Sequence, residues 1–389
     1  MNKDKIRVGV IGTGFIGAVH IDAIRRLGFT EIAGIAEASP ELAESRAGEL
    51  GIARAYRDAG EMINDPDVDV IHNCTPNNLH LEINRAIIRA GKHIFAEKPL
   101  AMNAGESALL LEDVSQSNVV HGVNFNYRMY PLVQEMKHRV ARGYLGDLRI
   151  VHGSYLQDWL LYPTDYNWRV EPEFCGATRA VGDLGSHWCD LVQTVTGLRI
   201  VEVMAEFMTA VPLRRKAGDV STFGADTAAG AGVDIAVDTE DWATVMVRLE
   251  NGVKGVFSVS QVSAGRKCRF DVEINGSEKT FYWNQERGDR LWVGTRGESN
   301  EEIIRDPNRL DPAIRPYTSA PVGHPEGWLD DNHANIRAFY DFIREGKRPG
   351  IDPAAFATFH DGHDIMLILD AIVESAHTGR WVSVRRGKC

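Results

Sequence analysis

The chain contains 389 residues, a length that favours two domains, each large enough to bury its own core. Its 54 acidic and 43 basic residues give a net charge of −11, which argues against a nucleic-acid-binding protein because such a protein needs a basic face. The sequence shows no run of about 18 apolar residues, no signal peptide and no CxxC pair, so we expect no membrane span, no disulfide framework and a cytoplasmic location.

The first predicted elements are a strand, a glycine-rich turn and a helix. A short apolar run leads into Gly12, Gly14 and Gly17, and a helix pattern covers residues 15–27. Glu37 follows twenty residues after Gly17, at the end of a second apolar run. This pattern is typical of a βαβ dinucleotide-binding unit, in which a pyrophosphate lies at the helix N-terminus. A carboxylate at Glu37 can accept hydrogen bonds from the ribose and would repel a 2′-phosphate, so the sequence favours NAD over NADP.

Strand and helix patterns then alternate through the first third of the chain. The predicted strands are residues 6–11, 31–36, 69–74, 93–96 and 119–123, and the predicted helices are residues 15–27, 40–50, 58–64, 79–90 and 105–117. Asn77 and Asn103 stand where helix N-caps are expected. Alternation predicts a parallel sheet whose ligands bind beyond the carboxyl ends of its strands. The polar segments 73–78 and 96–99 should face that crevice.

From about residue 147 the pattern changes to long strands. The predicted strands are residues 147–156, 200–209, 241–249, 252–262, 268–275 and 278–284, and the predicted helices are residues 131–142, 184–196, 331–345 and 354–376. Asn251-Gly252 and Asn275-Gly276 suggest hairpin turns, and residues 212–240 suggest a long loop. We therefore predict an α/β protein with an N-terminal doubly wound Rossmann sheet over residues 1–128. An α+β domain with a large, open, mostly antiparallel sheet should follow over residues 129–389.

The segment Glu97-Lys98-Pro99 follows the fourth predicted strand. Pro99 biases Lys98 toward an extended conformation, so Lys98 should project from the strand end into the cofactor crevice. A lysine there can hydrogen-bond a substrate hydroxyl and ease proton movement during hydride transfer. The alternative is a surface lysine at a strand–helix turn.

After the glycine turn and the Glu97-Lys98-Pro99 segment, a third group of candidate functional residues lies in the segment 182–190. Asp183 and His187 are four residues apart, so on a helix they would share one face and could touch. A carboxylate beside an imidazole fixes its tautomer and raises its basicity, which would suit His187 as a general base. Alternatively, Asp183 is a helix N-cap and His187 a packed core residue. No third ligand stands at a recognisable spacing, so we expect no metal.

In this order, these segments resemble the glucose–fructose oxidoreductase, inositol dehydrogenase and rhizopine catabolism (Gfo/Idh/MocA) family. The resemblance is carried by residues 12–17, 74–77, 97–99, 126–128 and 182–187. It implies that Lys98, Asp183 and His187 are the catalytic group, and that the large sheet forms a homodimer or homotetramer interface. It also implies a set of cofactor-binding residues: Gly12, Gly14, Phe15, Ile16, Gly17, Glu37, Thr75, Asn77, His80, Glu97, Lys98, Trp168 and Arg169.

Residues 155–159, 167–169 and 323–328 are similar to a sugar dehydrogenase subgroup of that family, although the residues after Trp159 depart from its pattern. The substrate contacts expected from this are Lys98, Arg128, Gln157, Asp158, Arg169, Asp183, His187 and His324. The alternatives are purely structural roles: an Asp158–Arg169 salt bridge, tryptophans packed in the core, and Arg128 as a cap for the helix near Pro131.

Together these observations predict an NAD-dependent oxidoreductase that acts on a secondary CH–OH group of a sugar, sugar derivative or cyclitol. Its only expected partners are the small carbohydrate substrate and further copies of the chain, with no nucleic acid and no membrane. Three alternatives remain open at this point. They are a glycosidase that keeps NAD and oxidises C3 transiently, a sugar dismutase, and a non-catalytic NAD-binding regulator.

Overall fold

The computed structural model describes residues 5–216 and 232–387, and it divides into two compact units. The first unit comprises Met1–Met129 and Leu329–Met366, and the second comprises Tyr130–Trp328 and Leu367–Cys389. The segment Leu329–Met366 lies beyond the predicted boundary at residue 128 but packs with the N-terminal residues. Within the described ranges, no helix combines the length and apolar character that crossing a membrane requires.

The elements up to residue 129 are β1 (Ile6–Ile11), α1 (Phe15–Arg26), β2 (Thr30–Ala36), α2 (Pro40–Leu50), α3 (Ala59–Asn64), β3 (Val70–Asn73), α4 (His80–Arg89), β4 (His93–Ala96), α5 (Ala104–Ser115) and β5 (His121–Val123). The elements after it are α6 (Pro131–Ala141), β6 (Leu148–Leu156), α7 (Pro172–Cys175), α8 (Ser186–Thr196), β7 (Ile200–Met208), β8 (Leu213–Lys216), β9 (Val233–Ala236), β10 (Trp242–Leu249), β11 (Lys254–Ser260), β12 (Arg269–Gly276), β13 (Lys279–Asn284), β14 (Arg290–Thr295), β15 (Glu301–Ile304), α9 (Trp328–Arg344), α10 (Phe359–Thr378) and β16 (Val382–Ser383).

The first unit is built on a parallel five-stranded sheet with the order β2-β1-β3-β4-β5. Its central strands are almost wholly buried because helices cover both faces, as is usual for parallel sheets. The strand order reverses between β1 and β3, and the carboxyl ends of those strands border the crevice where doubly wound sheets bind ligands. The predicted Rossmann sheet is confirmed.

The second unit contains a nine-stranded sheet with the order β15-β14-β13-β12-β6-β11-β10-β7-β16. Only the β6–β11 pair is parallel, so the predicted large, mostly antiparallel sheet is confirmed. Helix α8 packs on one face of this sheet, where the Trp188 ring stacks on Phe257 with 4.4 Å between ring centroids. Gly153 lies opposite, where a Cβ would be 2.4 Å from the indole nitrogen of Trp188. A glycine on β6 therefore allows α8 to approach the sheet closely.

Several strands of the structure were not predicted from the sequence. The predicted loop over residues 212–240 contains β8 and β9, which pair as a separate two-stranded sheet, while residues 217–231 lie outside the described ranges. The nine-stranded sheet also includes β14, β15 and β16, for which no strand was predicted. Strands β8, β9 and β15 are largely exposed and carry charges, so they lack the alternation that reveals a half-buried strand.

The two predicted hairpin turns had different outcomes. Asn251 and Gly252 adopt the positive φ angles of a tight turn between β10 and β11, as predicted. The turn predicted at Asn275-Gly276 is wrong, because β12 continues to Gly276 and the chain reverses at residues 277–278. Gly276 is needed for packing instead, since a Cβ there would lie 2.0 Å from the Leu145 carbonyl oxygen.

The Asn103 side chain caps α5 by accepting from the Glu106 N–H, as predicted. Asn77, in contrast, is not an N-cap: it is the first residue of a short 3₁₀ helix, and Pro76 occupies the cap position. A proline there sets the chain direction without offering a side-chain acceptor.

Candidate active site

The glycine turn of the first unit has the geometry of an anion cradle. Gly12 has a φ of +81°, and a Cβ on Gly17 would lie 2.1 Å from the Gly12 carbonyl oxygen, so both positions require glycine. A Cβ on Gly14, however, would meet no protein atom within 4 Å. Gly14 caps α1, and no acidic residue lies in its first turn. The open side of Gly14 and a helix N-terminus without a side-chain cap therefore fit a dinucleotide pyrophosphate, with Phe15 and Ile16 directly beside it.

Glu37, at the end of β2, turns toward the glycine loop. Its carboxylate accepts hydrogen bonds from the backbone N–H and the hydroxyl of Thr13. Arg46, on α2, donates to the same hydroxyl at 3.2 Å and to the Thr13 carbonyl. Thr13 and Arg46 are therefore part of this end of the site, although no motif spacing in the sequence pointed to either of them.

Two loops at the carboxyl ends of β3 and β4 are joined by His80. The buried imidazole of His80 lies 2.9 Å from the Thr75 carbonyl and 2.8 Å from the Pro99 carbonyl. Burial lowers the pKa of His80 and outweighs the opposing effect of these two hydrogen bonds. The Thr75 hydroxyl in turn donates to the Asn73 side chain at 2.7 Å. Asn77 begins the short 3₁₀ helix in the loop after β3, just before His80.

Glu97 faces the protein interior, whereas Lys98 is half-buried. The Glu97 carboxylate accepts from Asn124 and from the Lys98 backbone N–H at 3.1 Å, and it lies 3.0 Å from a ring nitrogen of His20. Burial raises the pKa of Glu97, but hydrogen bonding by His20 and the charges of His20 and Lys98 outweigh it, so the pKa is lowered. Glu97 is therefore placed to fix the turn that carries Lys98.

In the second unit, Asp183 lies in a π-helical turn, Val181–Gly185, that continues directly into α8. The wider π turn was not predicted, and such turns often mark functional sites. One carboxylate oxygen of Asp183 accepts from the Gln261 amide at 3.1 Å, and the other lies 3.8 Å from the Arg169 guanidinium. That guanidinium also stacks on the Trp168 ring at 4.3 Å. These contacts hold the Asp183 carboxylate from both sides.

His187 lies one turn further along α8 and is only 6% exposed. Its ring centroid is 6.3 Å from that of Tyr155 on β6. Gln157 follows β6 and is also buried; its side-chain oxygen accepts from the Trp159 indole at 2.8 Å. Gln157 and Tyr155 both contact Cys268, at 3.8 and 3.4 Å respectively. No motif in the sequence predicted Cys268 at this place.

The other predicted substrate contacts lie in more ordinary surroundings. Asp158 accepts from the Gly265 N–H at 2.9 Å and from Lys267 at 2.7 Å. His324 lies on an exposed loop whose carbonyl accepts from Arg305. In the first unit, Arg128 pairs with Asp361 at 3.2 Å. Burial raises the pKa of Asp361, but the Arg128 charge and hydrogen bonds from Thr358 lower it overall.

A buried carboxylate also holds the start of the helical segment that carries Asp183. Glu240 accepts from the backbone N–H groups of Arg179 and Val181, at 3.0 and 2.7 Å. A distant side chain thus satisfies N–H groups that the helix itself leaves unpaired. Burial raises the pKa of Glu240 to about 6, against an ordinary value of 4.5. Sequence reasoning missed this group because it lies about 60 residues away from its partners.

The raised pKa of Glu240 predicts a measurable pH effect on stability. Because the folded state binds the proton more tightly, the stabilisation is complete below about pH 4.5 and is lost as the pH rises through 6. A Glu240→Gln variant does not titrate there. We therefore expect its free energy of unfolding, relative to wild type, to rise by about 2 kcal/mol from acid to neutral pH. Urea unfolding at several pH values measures this difference, and a constant difference would contradict the assignment.

Comparison with known proteins identifies the family. Levoglucosan dehydrogenase from Pseudarthrobacter phenanthrenivorans is 33% identical over 97% of this chain and 98% of its own length. Residues 6–125 match the model described as oxidoreductase family, NAD-binding Rossmann fold, and residues 133–282 match that of the GFO/IDH/MocA C-terminal domain. The chain belongs to the Gfo/Idh/MocA family. The resemblance identified in the sequence is thereby confirmed.

Solved structures agree with this assignment to the Gfo/Idh/MocA family. A levoglucosan dehydrogenase complex with NADH and L-sorbose has a TM-score of 0.88 at 30% identity and covers 99% of this chain and all of its own. An inositol dehydrogenase homologue complexed with NAD⁺, from Azotobacter vinelandii, has a TM-score of 0.85 at 25% identity, covering 98% and 97%. The chain is thus an oxidoreductase with an NAD-binding Rossmann domain, as predicted.

The position of Glu37 predicts how this Gfo/Idh/MocA protein selects its dinucleotide. A Glu37→Gln variant keeps the acceptor for Thr13 but removes the charge that would repel a 2′-phosphate. We expect the ratio of the NADPH to the NADH dissociation constant, measured by nicotinamide fluorescence, to fall roughly tenfold or more. Glu31→Gln, an exposed change on the same strand, serves as the control and should leave the ratio unchanged. An unaltered ratio in Glu37→Gln would assign selectivity to other residues.

Proposed function

We propose that this protein is an NAD-dependent dehydrogenase that oxidises one secondary alcohol of a sugar, sugar derivative or cyclitol. The full-length similarity to levoglucosan dehydrogenase supports this most directly. The chain also contains Lys98, Asp183 and His187, residue types that can bind an alcohol hydroxyl and take its proton during hydride transfer. The proposed compartment is the reducing cytoplasm, which agrees with the absence of a disulfide among the four cysteines of the described residues.

In the proposed reaction the chain handles the proton. His187 takes the proton from the substrate hydroxyl, Asp183 holds His187 in orientation, and Lys98 hydrogen-bonds the same hydroxyl. When bound, NAD accepts the hydride at its nicotinamide ring. Glu97 and His80 fix the loops around Lys98 and Thr75, while the glycine turn and Glu37 hold the rest of the dinucleotide. Trp168 and Arg169 complete the proposed cofactor contacts.

The charge pattern of the second unit favours an uncharged substrate. Arg169 lies against Asp183, and Lys267 is paired with Asp158, so a carboxylate already balances each of these cations. Gln157 offers an amide fixed by Trp159, a group suited to a sugar hydroxyl. Within the proposed substrate set, Lys98 and His324 lie furthest from this cluster along the chain.

A substrate screen tests the proposal. Neutral monosaccharides, anhydrosugars, inositols and glycosides are offered with NAD and then with NADP, and NADH absorbance is followed. We expect NADH to accumulate in proportion to the oxidised product. Release of an aglycone without NADH would indicate the glycosidase, and hydride exchange between two sugars without NADH would indicate the dismutase. Tight NADH binding with no turnover on any compound would indicate a regulator.

We further propose that the protein forms a homodimer or homotetramer through the open face of the nine-stranded sheet. One row of paired residues across that face includes Met204, Met246, Val256, Tyr282 and Trp292. Met246 and Val256 lie directly opposite each other and are 42% and 38% exposed. Neighbouring apolar side chains of this exposure are typical of a surface that a partner covers.

The sheet-face interface predicts the effect of a single charge. A Val256→Glu variant should shift the protein from its oligomer toward a monomer in light scattering, because the partner would have to bury an unpaired carboxylate. Leu109→Glu, on the surface of α5 and also 38% exposed, is the matched control and should keep the wild-type mass. A Val256→Glu variant with unchanged mass would place the interface elsewhere.

A further inference from the structure

Gln261, the residue that follows β11, is wholly buried in the second unit. Its side-chain amide nitrogen donates to Oδ2 of Asp183 at 3.1 Å. A buried amide in this position needs a structural or functional reason, because burial of a polar group costs free energy unless its hydrogen bonds are satisfied.

The Asp183 carboxylate decides the orientation of the Gln261 amide. An ionised carboxylate only accepts hydrogen bonds, so the NH₂ group must face it and the amide oxygen must point away. That oxygen is buried and accepts no hydrogen bond from any residue in the described part of the chain. An unsatisfied buried acceptor destabilises a fold. Gln261 therefore carries a cost that an apolar side chain of similar size, such as methionine, would not.

The backbone around Gln261 is tied to the loop that carries Gln157. The Gln157 N–H donates to the Ser260 carbonyl at 2.7 Å, and the Gln157 carbonyl accepts from the Ser263 N–H at 2.9 Å. The Gln261 carbonyl accepts from the Leu160 N–H at 3.1 Å. Three hydrogen bonds therefore fix this loop to the strand end from which the Gln261 side chain extends.

The two carboxylate oxygens of Asp183 have different neighbours. Oδ1 lies 3.8 Å from the Arg169 guanidinium, which is close enough for charge attraction but too long for a hydrogen bond, whereas Oδ2 accepts from Gln261. A hydrogen bond is directional, and an ion pair at that distance is much less so. The Gln261 amide is therefore the contact of the two that fixes how the carboxylate is turned.

We propose that Gln261 is a positioning residue: it fixes the Asp183 carboxylate relative to the loop carrying Gln157, and its amide serves the reaction rather than the stability of the fold. In the proposed proton transfer, Asp183 orients His187 only while its own carboxylate is held in place. The effect on rate rests on the function proposed above, whereas the hydrogen bond and its effect on stability do not depend on any substrate.

A Gln261→Met variant tests the division between rate and stability. It removes the hydrogen bond to Asp183 together with the unsatisfied oxygen, so its midpoint of urea unfolding, followed by tryptophan fluorescence, should equal or exceed that of the wild type. With a substrate found in the screen, kcat should fall about tenfold, as expected for a lost hydrogen bond to a charged group, and KM should change little.

Gln285→Met is the matched control in the same unit. The Gln285 amide nitrogen donates to the Tyr130 hydroxyl at 3.3 Å, and its oxygen is likewise buried with no partner among the described residues. This substitution therefore removes the same groups from a site without a carboxylate partner, and it should leave kcat unchanged.

A measurement without substrate separates this proposal from the proposed function. The chain contains six glutamines, so ¹⁵N-glutamine labelling gives six pairs of side-chain amide signals in an NMR spectrum, and Gln261→Met assigns one pair. We expect the Gln261 amide protons to exchange with solvent more slowly than those of the exposed Gln116, and to shift upfield in Asp183→Ala. The Gln157 signals should not move in Gln261→Met.

Three results would overturn the proposal. A Gln261 signal that does not respond to Asp183→Ala would refute the hydrogen bond, and full kcat in Gln261→Met would refute the effect on the reaction. A Gln261→Met variant that unfolds at lower urea and also shifts the Gln157 signals would assign Gln261 a structural role. If the wild type oxidises no compound in the screen, the proposed function fails, and the amide signals with the unfolding midpoint still decide whether Gln261 holds Asp183 at a cost in stability.

Discussion

A His187→Asn variant should lose between about 10²- and 10⁴-fold in kcat, the usual contribution of a general base. The substitution removes the proton acceptor but keeps a polar side chain at a position that is 6% exposed. Because α8 is fixed on the sheet by Trp188 and Phe257, the backbone should not move. The variant should therefore bind NADH with wild-type affinity and unfold at the wild-type temperature.

Initial rates of NADH formation with a substrate found in the screen measure this effect. His138→Asn, on α6, is the matched control because it removes a half-buried histidine paired with Asp311 away from the proposed site. An Asp183→Asn variant should lose less than His187→Asn, since asparagine can still accept from Gln261 but no longer stabilises a charged imidazole. Full turnover in His187→Asn would remove this residue from the mechanism.

The sequence revealed those parts of the site that depend on local pattern. Gly12 and Gly17 stand where the turn requires glycine, because Gly12 has a positive φ and a Cβ on Gly17 would meet the Gly12 carbonyl oxygen. Their role in cofactor binding, with that of Gly14, stays a prediction. The parallel sheet followed from alternating strand and helix periods. Both signals are contained within about 30 residues of chain, the length of one βαβ unit.

The supporting residues could not be predicted because their partners are far away in the chain. Gln261 reaches Asp183 across 78 residues, and His72 reaches Tyr340 across 268. No sequence motif around this glutamine or this histidine predicts such a contact, and from the sequence either side chain could equally lie on the surface. The exposed strands β8 and β15 were not predicted for a different reason. Too few of their side chains are buried to give the alternation of apolar and polar residues that marks a strand.

Replacing Asp241 with asparagine should destabilise the second unit by about 3–5 kcal/mol. Asp241 is buried and accepts from both Arg179 and Arg214, whose side chains are also fully buried. Burial and the charge of Arg179 already lower the pKa of Arg214. Without Asp241 the two guanidinium groups would repel each other with no compensating charge, which is the costly way to break a buried ion pair.

An exposed ion pair, formed by the residue that follows Arg214, supplies the control. Arg215 pairs with Asp234 at the surface, where both side chains are about half exposed, so Asp234→Asn should cost less than about 1 kcal/mol. All eight tryptophans lie in the second unit, so their fluorescence during urea unfolding reports on that unit alone. Equal effects of the two substitutions would show that the buried pair contributes no more than the exposed one.

The same variant should also lower activity by more than its loss of stability explains. Arg214 donates to the carbonyls of Leu160 and Tyr162, in the loop that follows Gln157 and Trp159. The Arg179 carbonyl accepts from the Asp183 N–H at 2.8 Å. Asp241 therefore ties the proposed substrate loop to the turn that carries Asp183. We expect Asp241→Asn to raise KM and lower kcat even at temperatures where it is fully folded, whereas Asp234→Asn should change neither.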